Sequence, residues 1–573
     1  MAKAASSTSA PISAQDHAAS FSKRDRTIAL VVVAFAFVMD LLDNTIVNVA
    51  IPSIQANLGA SYATIQWLVA GYSLAFALLL VTGGRMGDVY GYKKIFMVGV
   101  VGFTLASLLS GIAWTPGVLI ATRLLQGGMA ALMVPQVMSL MQVMFKPEER
   151  AGVNGLFGAL GGMAASLGPI VGGLLIKANV FGWDWRPIFL INVPVGIFAI
   201  VAAVKYLPNG KSPHPLHLDI TGTVLLVGAL GLLVYPLIEG RDLGWPLWTY
   251  IMMAASAPLI AIFAWWQRRK MARDGSPLIV PALFRLRSFA AGVVINIVFE
   301  AAMLSYFLTS TLILQIGLGF SPIRAAITGL PIAIGIAFTM ALLGQKVVPK
   351  LGRYSITLGT VVMASGLLLT SWLVNHYGLA VHSWQFIPCL LPIGVGMGLV
   401  FAPLMAVVLN DVDTKHAGSA SGVLNAVQQV GGAVGVAVIG VIFFGQLGSN
   451  AARSFSAVEP ALRTQLTAQH LPAAAQTQIV SGVKQCFIDR THEKDSTVVP
   501  ASCKQGAAMA QVSPKLGQEI QQAALTANAR NFAHAFRWGI SFGVALLALT
   551  FGLTFVLPKR IRAEAFKEAE AAL

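Results

Sequence analysis

Residues 84–94 read GRMGDVYGYKK and join two apolar runs of roughly 20 residues each, the length that crosses a lipid bilayer. Glycines, one carboxylate and a basic pair are therefore expected on a short turn between two membrane helices. Its small residues let the two helices approach closely, and its acidic and basic side chains lie together at one face of the membrane. This stretch predicts a hinge between moving helix bundles, with Gly84, Asp88, Gly91 and Lys93 as a conformational latch.

The composition indicates a membrane protein. Of 573 residues, 56% are hydrophobic and 11% are charged, which is too little charge for the surface of a soluble protein of this size. The net charge of +16 raises the question of nucleic acid, but the basic residues form no single patch. They concentrate in alternate loops, as cytoplasmic loops of membrane proteins do. We therefore predict a multi-pass protein of the cell (inner) membrane, with both termini in the cytoplasm and no nucleic-acid partner.

The order of apolar runs predicts an all-α membrane protein with fourteen transmembrane helices, arranged as two six-helix bundles with two helices inserted between them. A turn at residues 344–353 echoes residues 84–94, which suggests that the two halves are related. The predicted segments are a disordered cytoplasmic tail (1–27), an N-terminal bundle (28–206), two linker helices with a basic cytoplasmic loop (207–288), a C-terminal bundle (289–557) and a cytoplasmic tail (558–573).

One connection, residues 446–535, is long and polar, and the predicted topology places it outside the cytoplasm. It carries Cys486 and Cys503, whose spacing permits a disulfide in an oxidising compartment, with two free thiols as the alternative. It contains no Asn-x-Ser/Thr sequon, which favours a bacterial source. The sequence leaves open whether a periplasmic adaptor docks on this face.

Two carboxylates lie in the first apolar run, which contains DLLDNTIVNVAIP at residues 40–52. Asp40 and Asp43 are three residues apart and therefore share one helix face. A charged carboxylate inside a membrane is costly, and two close carboxylates in a low dielectric do not both ionise easily. These conditions suit a group that loads and releases a proton. The plainer alternative is that Asp43 only hydrogen-bonds an Asn or Thr of a neighbouring helix.

The fourth apolar run contains Arg123. A guanidinium inside a membrane needs a carboxylate or several carbonyl groups, and Asp43 or Asp40 is the natural partner. An arginine that approaches and leaves an aspartate would control whether that aspartate holds a proton. A static structural ion pair is the alternative.

Glu300 lies inside the ninth apolar run. A glutamate at this depth should face protein or a water-filled cavity, where it can attract a cationic ligand or exchange protons. Met303 and Phe307 continue along its helix face, and Gln126 of the fourth run joins them as a candidate substrate-binding residue. Flexible and aromatic side chains suit lipophilic ligands, although such a stripe also arises from ordinary packing.

Several of these motifs resemble those of one transporter family. Residues 84–94 are similar to the major facilitator signature Gly-x-Leu-Ala-Asp-Arg-x-Gly-Arg-Lys, although Val89 and Tyr92 replace two of its arginines. The sequence around Asp43 resembles the Leu-Asp-x-Thr-Ile-Val-Asn-Val-Ala-Leu-Pro motif of fourteen-helix drug:proton antiporters of the EmrB/QacA type. Residues 123–127, RLLQG, resemble the family's Arg-x-x-Gln-Gly element, which is linked to proton coupling.

The fifth apolar run contains GPIVGG at residues 168–173. It resembles the Gly-Pro-x-x-Gly-Gly motif typical of exporters in this superfamily, with ordinary glycine packing as the alternative. The exporter motif then consists of Gly168, Pro169, Gly172 and Gly173. Residues 183–196 resemble a further family pattern, which we interpret as structural rather than chemical.

The resemblance implies a major facilitator fold and a proton-coupled antiporter that exports lipophilic, often cationic drugs or toxic compounds by alternating access. Its partners would be these substrates, protons and the lipid bilayer, with the proton-motive force in place of a cofactor. The sequence contains no phosphate-binding loop for ATP and no metal-ligand spacing, and no enzymatic activity is expected. The alternatives are a dedicated exporter of one endogenous product, such as an antibiotic, lipid or siderophore, and, less favoured, a non-transporting membrane receptor.

Overall fold

The computed structural model describes residues 23–145, 147–212, 217–340, 348–409, 411–412, 414–492, 499–503 and 514–558. These residues form helices joined by short connections, with no strand among them. Helices are the expected solution in lipid, because each one satisfies its own backbone hydrogen bonds. The prediction of an all-α chain is confirmed.

The first half of the chain forms a six-helix bundle followed by a helix pair. The bundle comprises α1 (Lys23–Leu58), α2 (Tyr62–Tyr90), α3 (Tyr92–Gly111), α4 (Pro116–Met144), α5 (Pro147–Ala178) and α6 (Pro187–Tyr206, interrupted at Ile191). The pair comprises α7 (Ile220–Glu239) and α8 (Leu247–Asp274), which pack against each other.

The second half forms another bundle. It comprises α9 (Arg287–Leu312, extended by the π-helical turn Ile313–Gly317), α10 (Pro322–Phe338), α11 (Arg353–Tyr377), α12 (Ile387–Leu409), α13 (Thr414–Ser449) and α14 (Pro514–Thr554). Within the described ranges, twelve helices are long and apolar enough to cross a membrane, and α5 and α10 contribute shorter apolar stretches at the two other predicted positions. The membrane-spanning, two-bundle architecture is confirmed, whereas the count of fourteen spans stays a prediction.

Local sequence sets the ends of α2. Its first turn is capped by Ser61, whose side-chain oxygen accepts a hydrogen bond from the Thr64 N–H at 3.2 Å. The helix continues through most of the expected turn and ends at Gly91, where φ is +103°. This backbone conformation favours glycine. The connection between α2 and α3 is therefore a break at one residue rather than a loop.

The helix α1 begins at Lys23, so the last residues of the predicted tail 1–27 are helical. Arg26 supplies the physical reason, because its two terminal nitrogens each donate to the Glu149 carboxylate of α5 at 2.9 Å. Its guanidinium also lies over the Phe145 ring, 5.1 Å from the centroid. Residues 1–22, residues 559–573 and the start of the turn predicted at 344–353 lie outside the described residues.

The long connection folds into helices, which we call the cap. It consists of Ala451–Ser456, Glu459–Ala468, Ala473–His492 and the first turns of α14, which share one buried apolar cluster. At 1.5 Å per residue, the 41 residues of α14 extend about 60 Å, twice the apolar thickness of a bilayer. The first half of α14 therefore leaves the membrane and packs in the cap. Cys486 and Cys503 are joined by a disulfide in the cap.

The two bundles meet through equivalent helices. The second helix of the first bundle, α2, packs on the fifth helix of the second, α13, and α5 packs reciprocally on α10. This exchange is expected of related halves. On the side that carries the cap, the Tyr62 and Phe444 rings stack 4.1 Å apart, and Gln315 Nε2 donates to the Val49 carbonyl at 3.2 Å. These contacts close the bundles together on the cap side.

Candidate functional site

Asp43 of α1 is fully buried and is held by side chains from two other helices. Arg123 of α4 forms an ion pair with Asp43 Oδ2, and neither side chain is more than 1% exposed. Gln126 of α4 and Asn192 of α6 each donate to Asp43 Oδ1 at 2.8 Å. Pairing and hydrogen bonding offset the cost of burying both charges, whereas removal of either partner would leave the other uncompensated.

The amide of Gln126 is fully engaged in the same cluster. Its oxygen accepts from Arg123 Nη1 at 2.8 Å, and its nitrogen also donates to Ser107 Oγ of α3 at 2.8 Å. Gln126 is completely buried. We therefore interpret Gln126, a predicted substrate-binding residue, as a part of the Asp43 cluster, because a substrate would reach its amide only after these bonds break.

Asp40 belongs to the cluster through Tyr72 of α2. The Tyr72 hydroxyl donates to Asp40 Oδ1, and the Tyr72 ring lies against the guanidinium of Arg123, 4.3 Å from centroid to Cζ. Of the two partners predicted for Arg123, Asp43 makes the ion pair, and Asp40 is bound by a neutral donor. One guanidinium and two carboxylates lie together, so this buried cluster is electrically neutral when it holds one proton.

The exporter motif of α5 packs against α1 immediately after Asp43. A Cβ on Gly168 would overlap Thr45 Oγ1 and lie 3.0 Å from Thr45 Cβ, and one on Gly172 would lie 2.7 Å from Ile46 Cγ1. Real side chains do not fit at such distances, so only glycine allows this approach. The two glycines bring α5 against the helix that carries the buried carboxylates.

The last glycine of the motif faces the other bundle. A Cβ on Gly173 would lie 2.9 Å from the Ile323 Cα at the start of α10, and Pro169 lies inside the same helix. The motif thus touches α1 on one side and the second half on the other. A shift of α1 near Asp43 can therefore be transmitted to the contact between the halves.

Glu300 is the buried carboxylate of the second half. It is 5% exposed, and it accepts a hydrogen bond from Gln428 Nε2 of α13 at 2.5 Å. Met303 is 1% exposed and packs in the core of the second half, as the packing alternative expects, whereas Phe307 is only partly buried. Glu300 and Phe307 thus remain candidates for the substrate pocket, and we interpret Met303 as a core residue.

The residues predicted as a latch bind within the first half and its connection to α7. Lys93 Nζ donates to the Val204 carbonyl at 2.8 Å, and Tyr92 donates to the Asp88 carboxylate at 3.1 Å. Gly84 lies next to Pro135 of α4. A latch across the halves therefore stays a prediction for another conformation of the cycle.

Arg85 of the same motif ties α2 to the connection between α8 and α9. Its guanidinium donates to the carbonyls of Ser276, at 2.9 Å, and Pro277. At the opposite end of α2, Trp67 Nε1 donates to Glu239 of α7 at 2.8 Å. The inserted helix pair is thus fixed to α2 at both membrane faces.

Asp219 organises the inserted pair from one position. It caps α7 by accepting from the Gly222 N–H at 2.9 Å, and it accepts from the side chains of Trp266 and Gln267, each at 2.9 Å, and from the Leu278 N–H at 3.3 Å. Burial raises the pKa of Asp219, but these hydrogen bonds outweigh it, so the pKa lies below its ordinary value. The carboxylate joins α7, α8 and the following connection.

Sequence reasoning missed three members of the Asp43 cluster, namely Asn192, Ser107 and Tyr72. Asn192 lies in the run 183–196, which was interpreted as structural, yet its side chain donates directly to Asp43. An amide inside an apolar segment was the available signal, because such groups need a buried partner. Ser107 and Tyr72 carry no comparable signal.

The chain resembles known proteins over most of its length. A family model described as Major Facilitator Superfamily matches residues 33–436. A probable actinorhodin transporter of Streptomyces coelicolor is 42% identical over 94% of this chain and 93% of its own length. The puromycin resistance protein pur8 of Streptomyces alboniger is 33% identical over 73% of this chain and 81% of its own length.

A solved structure has a similar fold. It is a bacterial homolog of the human lysosomal transporter Spinster, and it matches with a TM-score of 0.56 at 16% identity. The match covers 95% of this chain and all of the solved chain. At this identity the likeness shows the fold alone.

Proposed function

Since the chain belongs to the major facilitator superfamily, we propose that it is a proton-coupled antiporter that exports lipophilic, often cationic compounds by alternating access. The chain is a multi-pass membrane transporter rather than an enzyme. The observation that carries the proposal is the buried ion pair of Asp43 and Arg123. Ionisable groups inside membrane helices mark ion and proton pathways, because they are too costly to keep otherwise.

The proton step uses the charge balance of the cluster. A proton that reaches Asp43 removes the charge that holds Arg123. The guanidinium then keeps its hydrogen bonds to neutral oxygens and its contacts with the Tyr72 and Phe189 rings. The hydrogen bonds from Gln126 and Asn192 to the carboxylate weaken as well, because charge-assisted bonds are the stronger ones. The contacts of α1 with α4 and α6 are therefore loosened by protonation.

The conformational step uses the glycine contacts of α5. The residues Thr45 and Ile46 follow Asp43 on α1 and press on Gly168 and Gly172, and the next glycine meets α10. Movement of α1 changes how α5 packs on the second half. When the bundles have parted on the cap side, a proton from outside binds Asp43 as the substrate leaves. The bundles then close on the cap side and carry the proton inward, and its loss to the cytoplasm re-forms the ion pair of Asp43 and Arg123.

The substrate step places a cationic compound near Glu300 of the second half. In the described conformation Gln428 donates a hydrogen bond to this carboxylate, and a bound cation would replace that hydrogen bond. A membrane potential that is negative inside supplies about 2.3 kcal/mol per charge for each 100 mV, which drives proton entry. Two observations favour export over import: the exporter motif of α5, and the name of the relative described as a puromycin resistance protein.

A dedicated exporter of one product is the second candidate. The match to the relative named for actinorhodin transport covers 94% of this chain. It therefore includes at least part of the cap. A cap shared with a relative that is named for one compound favours a narrow substrate range. Comparison of transport rates for chemically unrelated compounds separates the two candidates.

The test is ethidium accumulation in inverted membrane vesicles with and without an imposed pH gradient. We expect gradient-dependent accumulation for the parent, a loss to about a tenth or less in Asp43→Asn, and a partial loss in Glu300→Gln, as for removal of charge-assisted contacts. Asp489→Asn in the cap is the matched control and should transport normally. Accumulation without a gradient, or full activity of Asp43→Asn, would contradict the antiporter. If cells with the Asp43→Asn protein behave like cells with the parent protein, a receptor is favoured, because a receptor does not need this carboxylate.

A further inference from the structure

A cavity of about 680 Å³ lies on the cap side, between the end of α11, the cap and α14. These elements contribute nothing to the Asp43 cluster. Its lining includes Arg453, Arg530, Arg537, His376 and His534, and no carboxylate is among its lining residues. The cavity is therefore strongly basic.

No carboxylate of the described residues pairs with the arginines of this cavity. Within the described part of the chain, Arg530 donates only to the Ala457 carbonyl, at 3.5 Å, and Arg537 lies 3.4 Å from a ring nitrogen of His534. Among the described residues, none of the three arginines of the cavity forms an ion pair. Arg463 of the same cap, by contrast, pairs with Glu459 at 2.9 Å.

Gathered like charges repel one another, and an anion between them would relieve that repulsion. Guanidinium groups match the oxygens of phosphate with paired hydrogen bonds. The lining also offers the polar side chains of Asn375, Gln522 and Thr526. The cavity thus has the charge and the donors that a phosphate group needs.

The position of the cavity indicates the membrane surface. Trp372, one turn before His376, is 57% exposed, and Trp538, next to Arg537, is 47% exposed. Exposed tryptophans lie at the level of lipid headgroups, where membrane helices pass from apolar to polar surroundings. The polar first half of α14 changes to its apolar half at this level.

We propose that this basic cavity binds a phosphate-bearing anion at the cap-side membrane surface, and its position favours the headgroup of an anionic phospholipid as the source. The bound phosphate bridges the arginines of the cap and α14. It joins the cap to the second bundle. This binding does not depend on the direction or coupling of transport.

The test is native mass spectrometry of the full-length protein with added phosphatidylglycerol or phosphatidylcholine. We expect the parent to retain phosphatidylglycerol at least about tenfold better than phosphatidylcholine, as paired charge-assisted bonds would give. The triple variant Arg453→Gln/Arg530→Gln/Arg537→Gln should lose this preference, and Arg463→Gln, the control from the same cap, should keep it. The triple Arg→Lys variant keeps the charge and the fold and should show an intermediate preference.

Inorganic phosphate and glycerol 3-phosphate distinguish the two sources of phosphate. Displacement of phosphatidylglycerol by millimolar amounts of either would identify a free phosphate as a sufficient ligand, and no displacement would identify the lipid. Equal retention of both lipids by the parent, with no binding of free phosphate, would overturn the proposal. A phosphatidylglycerol preference unchanged in both triple variants would overturn it as well.

Discussion

Thr45 of α1 lies directly against Gly168 of α5, at a point where any larger residue would overlap its hydroxyl. Thr45 follows the buried Asp43 by two positions, and it is fixed because its hydroxyl donates to the Leu41 and Leu42 carbonyls at 3.1 and 3.2 Å. The helix α1, which holds Asp43, and the helix α5, which carries the exporter motif, are therefore so close that no side chain fits between them at Gly168. In the proposed mechanism, this contact is the route by which proton binding moves the halves.

We expect Gly168→Ala to reduce transport by roughly tenfold or more, because the added methyl group separates α5 from α1 by overpacking. Thr45→Ala should restore part of the activity of Gly168→Ala, since it removes the overlapping hydroxyl. Gly552→Ala is the control, because a Cβ at that position meets nothing within 4 Å. Equal activity of Gly168→Ala and Gly552→Ala in the vesicle assay would mean that the close approach is not needed.

Removal of one member of the ion pair should destabilise the protein more than removal of both. Arg123→Gln leaves the Asp43 carboxylate buried without a cation, at a cost of about 3–5 kcal/mol for a broken buried pair. The double variant Asp43→Asn/Arg123→Gln should melt closer to the parent, although it should not transport. Thermal unfolding in detergent measures the difference, and a double variant less stable than Arg123→Gln would exclude an ion pair as the cause.

The closed cap side gives a prediction on alternating access. The rings of Tyr62 and Phe444 stack across the two halves, and the Arg241 guanidinium lies 5.5 and 5.7 Å from their centroids. In a Cys389→Ala background, Tyr62→Cys/Phe444→Cys should cross-link without substrate and stop transport. Reduction should restore transport, with the Cys389→Ala parent under the same reductant as control for the cap disulfide. Cross-linked protein that still transports would show that the halves need not part here.

Asp219 predicts a pH-dependent contribution to stability. Its pKa is lowered in the folded protein, so the stabilisation is present above the ordinary carboxyl pKa and is lost as the pH falls through the folded value. We expect Asp219→Asn to lower the melting temperature at pH 7, and the gap from the parent to narrow below about pH 4. Melting curves of the parent and Asp219→Asn at pH 7 and below about pH 4 measure this difference in melting temperature. A gap that widens in acid would mean that the carboxylate is not stabilised by the fold.

The sequence predicts the charged members of the site because charge is conspicuous in an apolar run. Asp43, Arg123 and Glu300 are visible in this way, and the glycine spacing at 168–173 is visible through its resemblance to a motif. The pairing of Arg123 with Asp43 rather than Asp40 depends on how α1 and α4 are rotated. That rotation is set by packing between helices, which a single sequence does not contain.

The hydroxyl-bearing members of the cluster and the fold of the cap could not be predicted for a related reason. Ser107 and Tyr72 are ordinary residues of membrane helices, and only tertiary packing brings them to the cluster. The cap has no long apolar run, since its core combines single buried residues from separate helices, such as Phe455, Leu462 and Val480. Polar composition therefore indicated a long connection outside the cytoplasm, but not that it folds into a small helical layer.

The most direct test of proton coupling is the movement of protons when substrate moves. Proteoliposomes that contain the purified protein and the pH-sensitive dye pyranine would receive ethidium outside, without an imposed gradient. We expect ethidium entry to be accompanied by a rise in the internal pH with the parent and the cap variant Asp489→Asn, and neither change with Asp43→Asn. Ethidium entry without any pH change in the parent, or an unaltered pH change in Asp43→Asn, would contradict the role of the buried carboxylate in antiport.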